Sequence, residues 1–124
     1  MISDNIHTNK NVWICDNPTR AFKKIGNTSQ FMYGLKDSTS VSFRIYHPTL
    51  KESKIYASFP SLNEDFIWNE ELGLIKSENA ELLYYNELSK TWQVLFSFSQ
   101  LGIKKITRFV FDTKNKRLAF VSHL

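Results

Sequence analysis

The residues best suited to proton transfer or metal binding in this chain are three histidines, His7, His47 and His123. None forms a pair at helical or turn spacing, so a metal site would need three separate loops to converge. Two of these imidazoles with a lysine such as Lys36 or Lys105 to stabilise a phosphorane would make a minimal kit for RNA cleavage. His7 falls in a polar arm and His123 is the penultimate residue, poor places for groups that must be held within about half an ångström. Cys15, the only cysteine, closes an apolar run and reads as a small core residue rather than a nucleophile. The carboxylate pairs Glu64 with Asp65 and Glu70 with Glu71 are neighbours in sequence, which diverge on a strand or a helix and need not form a catalytic dyad. Four glycines leave no glycine-rich phosphate loop. The expectation is therefore a protein without catalytic residues, metal or cofactor, with a metal-independent nuclease or hydrolase as the least favoured reading.

Charge is more informative than any motif. Residues 1–60 carry a formal +4, residues 61–88 a formal −6 and residues 89–124 a formal +6, which together give the net +4 of the chain. Segregation of this kind supplies surfaces of one sign, provided folding does not interleave the segments. The acidic stretch combines Glu64, Asp65, Glu70, Glu71, Glu78 and Glu81 with Phe66 and Trp68, aromatic anchors inside a negative field that suit a basic protein partner. The basic stretch offers Lys104, Lys105, Arg108, Lys114, Lys116 and Arg117 as an alternative anion-binding set able to track a phosphate backbone. No helix-turn-helix, zinc finger or RNA-recognition aromatic signature accompanies it. The bland alternative is cross-strand pairing, Glu81 or Glu87 against Lys104 or Arg108, contributing under roughly 1 kcal/mol each.

In size and style, though by no motif, the chain resembles the small single-domain immunity proteins that accompany bacterial toxins, in which an acidic patch caps a basic active site. That resemblance implies an inhibitor with a toxin or nuclease domain as its partner. The overall positive charge departs from the commonest version, in which the whole inhibitor is acidic.

The elements that must position these groups are short. Aromatic residues make up 15% of the 124 residues and fall mostly in alternating runs, which favours β-structure. Val12–Cys15, Phe31–Leu35, Val41–Tyr46, Lys54–Phe59, Glu81–Tyr85 and Trp92–Phe98 read as strands, with a hairpin loop of six or seven residues after Tyr46. Val41, Phe43 and Ile45 are expected on one face of their strand. Trp92, Val94, Phe96 and Phe98 form the stripe best suited to the core. Thr107–Phe111 and Arg117–Val121 flank the polar turn Asp112–Lys116 and predict a hairpin. The same shape, an aromatic residue, Asn or Asp, a polar stretch, Lys and a fresh strand, recurs at Tyr85–Trp92 and more loosely after Tyr46, without a fixed period. Asp16-Asn17-Pro18 opens a short helix predicted over Pro18–Ile25, closed by Gly26. Ser61 and Glu64 have capping-box spacing and tilt the stretch from Ser61 to Leu74 toward a helical turn, with an edge strand through Phe66, Ile67 and Trp68 as the alternative.

The expected fold is mainly β, with α+β as the alternative: an antiparallel meander, sandwich-like or curled, of about six to eight strands with one or two short helices. One domain spanning residues 1–124 is expected, residues 1–10 being a mobile arm. The lone cysteine, the missing secretory signal and the absence of a long apolar stretch predict a cytoplasmic protein that contacts no membrane.

Overall fold

The computed structural model of the chain describes residues 2–5, 10–13, 22–63, 65–112 and 114–123. It is mainly β and antiparallel, with almost no helix among the described residues. Contacts divide the chain into two compact units, residues 1–62 and 63–124.

In the first unit, β1 (Ile2–Asn5) lies within the stretch expected to be an arm and pairs with β2 (Lys10–Trp13). A four-stranded meander follows, ordered β3 (Phe22–Lys24), β4 (Phe31–Lys36), β5 (Val41–His47) and β6 (Glu52–Phe59). The strand expected over Val12–Cys15 is present to Trp13, and Ile14 and Cys15 lie outside the described residues. The helix expected over Pro18–Ile25 lies outside them as far as Ala21, and its remainder is corrected: Phe22–Lys24 is strand, pairing with Phe31–Tyr33. Phe22 gains a ring contact with Tyr33 at 5.1 Å that a short isolated helix could not match.

Met32, Val41 and Phe43 are fully buried, with Tyr33, Tyr46 and Ala57 beside them. Ile45, expected with Val41 and Phe43, is only half-buried, whereas Tyr46 on the opposite face is buried. The central strands are thus covered on both faces, as the consecutive buried residues Met32, Tyr33 and Gly34 also show. The Tyr33 hydroxyl is satisfied by Ser53 Oγ at 2.9 Å, which removes the cost of burying it.

The second unit holds another four-stranded meander, β7 (Phe66–Asn69), β8 (Gly73–Glu78), β9 (Glu81–Asn86) and β10 (Thr91–Ser97), then a 3₁₀ turn (Ser99–Leu101) and the hairpin β11 (Lys105–Asp112) and β12 (Arg117–His123). The helical turn expected between Ser61 and Leu74 is replaced by the strand alternative. Asn63, not Ser61, organises the segment, donating from Nδ2 to the Ser77 carbonyl at 2.8 Å and accepting the Asp65 N–H at 3.0 Å. Asn69 Oδ1 accepts the N–H groups of Glu71 and Leu72, each at 2.9 Å, and so builds the β7–β8 turn. Gly73 ends that turn at φ +82°, where a Cβ would also sit 3.6 Å from the Trp68 ring.

The core of this unit is Ile75, Leu82 and Ile106, packed against Ile67, Leu72, Tyr84, Leu95, Phe98, Phe109, Leu118 and Phe120 among others. The stripe expected from Trp92 to Phe98 is corrected by a bulge: Val94 pairs with Leu83 and Phe96 with Leu82, leaving Leu95 as the extra residue. One inserted residue exchanges the faces of a strand. Val94, beside Leu83, and Phe96, beside the buried Leu82, therefore lie on opposite faces: Leu95 and Phe98 pack on the core, Val94 is exposed, and Phe96, though 41% exposed, meets the rings of Phe98 and Phe111.

Three hairpin loops share one construction. Pro48–Lys51, Glu87–Lys90 and the loop that ends at Lys116 lie within the closing pairs His47 with Glu52, Asn86 with Thr91, and Asp112 with Arg117. Each loop therefore has four residues, and its fourth is a lysine in the left-handed region, with φ 54° at Lys51, 56° at Lys90 and 53° at Lys116. The first loop is shorter than the six or seven residues expected.

Candidate interaction surface

The meander divides the acidic residues between the two ends of its sheet. Glu70 and Glu71 are exposed on the β7–β8 turn, and Glu87 is exposed on the β9–β10 turn at the same end. Asp65, Glu78 and Glu81 stand at the other end, about 20 Å away along a six-residue strand. Glu64 lies outside the described residues. Of the two expected aromatic anchors, Phe66 is buried and Trp68 is half-buried over Gly73.

At that second end sits a cation that the sequence reading did not single out. Lys76 is fully buried, its Nζ donating to Glu78 Oε2 at 2.7 Å and to the Ser77 carbonyl at 3.1 Å. Burial pushes the Lys76 ammonium below its ordinary range, against the opposing pull of Glu78 and Asp65. Glu78 is thus already engaged by a cation of its own sheet.

The basic residues are gathered by a different arrangement. Leu118 and Phe120 of β12 face inward with Phe109 and Phe111 of β11. A ladder of rings joins them to the preceding sheet: Phe98 to Phe120 at 5.1 Å, Phe96 to Phe98 at 6.0 Å, and Phe96 stacked on Phe111 at 6.1 Å. The base of the hairpin is tied by the Ile106 N–H to the Asn79 carbonyl at 2.7 Å and by the Lys104 N–H to the His123 carbonyl at 2.8 Å. A two-stranded ribbon alone is marginal in water; these anchors make it a fixed platform.

Strand alternation then points the remaining residues outward together. Lys105, Arg108, Val110 and Asp112 of β11 are exposed, as are Arg117, Ala119, Val121 and His123 of β12. Register sets Arg108 beside Val121, Val110 beside Ala119 and Lys105 beside His123. A bulge at Thr107 keeps Ile106 and Phe109 on the inner face while Arg108 stays outside. Val110 keeps 60% and Val121 54% of its surface exposed, an aliphatic centre framed by cations. Lys104 precedes the face, and the exposed Lys114 and Lys116 extend it to the turn. The single carboxylate, Asp112, is occupied by Asn115, whose side-chain amide reaches Oδ2 at 2.9 Å and whose N–H reaches Oδ1 at 3.3 Å. Those bonds hold the Asp112 carboxyl below its ordinary value.

The cross-strand pairs weighed from sequence do not arise from this register. Glu81 lies opposite Glu78 and Ser97, and β9 borders β8 and β10 rather than β11. His47 ends β5 in the first unit and His123 ends β12 in the second, while His7 is outside the described residues. Among the described residues no group of three His, Cys, Asp or Glu side chains is placed to hold a metal ion, and no helix is long and apolar enough to cross a membrane.

These features define an antiparallel β-protein whose most distinctive surface is a basic ribbon face with an aliphatic centre. Comparison with known proteins finds no family model, no curated relative and no solved structure that the chain matches.

Proposed function

We propose that the chain is a non-catalytic recognition module that binds an acidic polypeptide through the outer face of the β11–β12 hairpin. The observation that carries this reading is the predominantly basic, exposed face around Val110 and Val121, whose one carboxylate, Asp112, is engaged by Asn115, mounted on a ribbon whose inner side is locked by phenylalanine contacts. Interfaces of moderate size combine such an apolar centre with a charged rim, and the rim sets encounter rate and partner choice. The alternative ligand, single-stranded nucleic acid, is normally held by aromatic side chains that stack on bases. Here Phe109, Phe111 and Phe120 point inward and the face offers aliphatic groups instead.

The test is fluorescence anisotropy with a labelled peptide of glutamates flanking a valine-rich centre, beside DNA oligonucleotides of equal charge, single-stranded and duplex. The peptide is expected to bind, more weakly as salt rises. The triple variant Lys105→Glu, Arg108→Glu, Arg117→Glu is expected to lose at least about tenfold in affinity with little change in melting temperature, because all three side chains are exposed. Tighter binding of DNA, or unchanged peptide affinity in the variant, would refute the reading.

A second reading, an inhibitor of a basic toxin or nuclease domain, is favoured by the exposed carboxylates Glu70, Glu71 and Glu87 on turns at one end of the sheet. It requires Glu70→Lys, Glu71→Lys and Glu87→Lys together to weaken a basic partner while the hairpin variant does not.

A further inference from the structure

Open sheets expose rows of unpaired backbone N–H and C=O groups at their edges, and proteins blunt those edges with short strands, bulges, lysines or prolines. This chain does so almost everywhere that its side chains are described. In the first unit, β3 has only three residues and carries Lys23 and Lys24, and β6 carries Lys54 and a bulge at Tyr56. In the second, β7 has four residues and β10 is bulged at Leu95. Even β11 carries Lys105 and the bulge at Thr107.

The exception is β12. Its seven residues, Arg117 to His123, carry a fixed charge only at the first position, include no proline, run without a bulge of their own, and contain the unbroken apolar run Leu118-Ala119-Phe120-Val121. Among the described residues its one hydrogen-bonded neighbour is β11, and none of them pairs with its other edge. A long edge guarded only at its first residue, beside the other described edges that are short, bulged or lysine-bearing, fits a strand that receives another.

We propose that β12 is a docking edge that takes an extended acidic segment of a partner protein as a third, antiparallel strand. This rests on the reading of the hairpin face above and adds the mode of capture. Charge selects the occupant. The chain from Ser89 to Leu124 has seven basic residues and one acidic residue, Asp112, which Asn115 already engages. Self-pairing of β12 across a two-fold axis would set Arg117 against His123 of a second copy and bring two such basic ribbons together, which like-charge repulsion opposes. An acidic strand reverses that sign. Alternation then specifies its pattern: acidic residues abreast of Arg117 and His123, aliphatic residues abreast of Ala119 and Val121 on the outer face, and apolar residues continuing the inner row of Leu118 and Phe120. Main-chain hydrogen bonds supply affinity, while those side-chain positions supply selectivity.

The experiment leaves the protein unaltered and edits the ligand. The probe is an acetylated Glu-Glu-Thr-Val-Val-Val-Leu-Glu-Glu amide, with two analogues N-methylated at alternate amides in opposite phase. In an antiparallel ladder alternate amides point toward the neighbour, so one analogue loses every inter-strand donor and the other loses none. One phase is expected to reduce affinity by about tenfold or more and the other to leave it nearly intact. Alternate backbone amides among Leu118–Ser122 are expected to gain protection from hydrogen exchange when the unmethylated peptide binds. Equal affinity of all three peptides, with unchanged exchange in β12, would overturn strand addition while leaving side-chain binding to the hairpin face standing. Absence of peptide binding altogether would overturn both readings. Protection of the β12 amides that depends on protein concentration without peptide, accompanied by dimers in sedimentation, would assign the edge to a second copy and refute the acidic partner.

Discussion

Replacing Lys76 by methionine and Glu78 by glutamine removes a buried charge together with its counter-ion while keeping the length of both side chains. In the wild-type protein the Lys76 ammonium is fully buried and donates to Glu78 Oε2 at 2.7 Å and to the Ser77 carbonyl at 3.1 Å, with Asp65 adding to the attraction. Desolvating such an ion costs several kcal/mol, and a charge-assisted hydrogen bond returns about 1.5–3 kcal/mol. Glu78 keeps 22% of its side-chain surface exposed, so water weakens its attraction. The Ser77 carbonyl retains Asn63 Nδ2 at 2.8 Å. The balance predicts that removing both charges together, Lys76→Met with Glu78→Gln, stabilises the fold by about 1–2 kcal/mol at neutral pH, raising the melting temperature by about 4 °C or more. The pH dependence follows from the same cause. Burial lowers the folded-state pKa of Lys76 below the ordinary 10.5, so the unfolded chain binds the proton more tightly. The destabilisation is complete below the folded pKa and disappears as pH rises from there to 10.5, so wild-type stability should climb toward that of the variant on the alkaline limb. Urea unfolding followed by tryptophan fluorescence at neutral and alkaline pH measures both effects. A variant less stable than wild type by about 1 kcal/mol or more, or a stability gap that ignores pH, would show that the charge pays its way through Glu78 and refute the reasoning.

The acid limb has its own groups. Asp37 accepts the N–H groups of Thr39 and Ser40, each at 2.8 Å, and the Ser40 hydroxyl at 2.9 Å, bonds that lower its pKa, as Asn115 does for Asp112. These contributions are present above the ordinary 3.8 and are lost as pH falls through the folded values, so the double variant Asp37→Asn, Asp112→Asn should flatten the decline of melting temperature in acid. Identical acid limbs would contradict that assignment. The left-handed loop lysines give a conformational test: Lys90→Ile should cost about 1–2 kcal/mol in chemical denaturation and Lys90→Gly should cost nothing or stabilise slightly, because φ is 56° there. Equal stability of the two variants would exclude strain at this loop.

The terminal hairpin was legible because one strand pair carries every signal at once: strict alternation in Arg117–His123, a polar turn, and an Asp that closes it. The shared loop pattern was legible too, since Asn86 and Asp112 bond to nearby N–H groups and a lysine follows at the left-handed position. Local chemistry governs such features, and local chemistry is written in neighbouring residues. The strand β8 was not legible, because Lys76 and Ser77 interrupt its apolar run with polar side chains whose burial becomes tolerable only through partners that the fold aligns, Glu78 two residues on along the same strand and Asn63 fourteen residues from Ser77. The capping-box spacing of Ser61 and Glu64 imitated a helix start in a segment that Asn63 and Asn69 fold differently.

By itself, then, the amino-acid order determined the antiparallel β class, the hairpins and the separation of charge along the chain. Tertiary structure decided which faces those patterns present. A bulge at Leu95 set Val94 and Phe96 on opposite faces, burial removed Phe66 from the surface, and the meander sent the carboxylates to opposite ends of one sheet. The basic ribbon kept its residues on one side because its single bulge, at Thr107, corrects the alternation rather than breaking it. Side-chain direction has a period of two, so one inserted residue reassigns a whole strand between core and solvent, and only the pairing partner shows where the insertion falls.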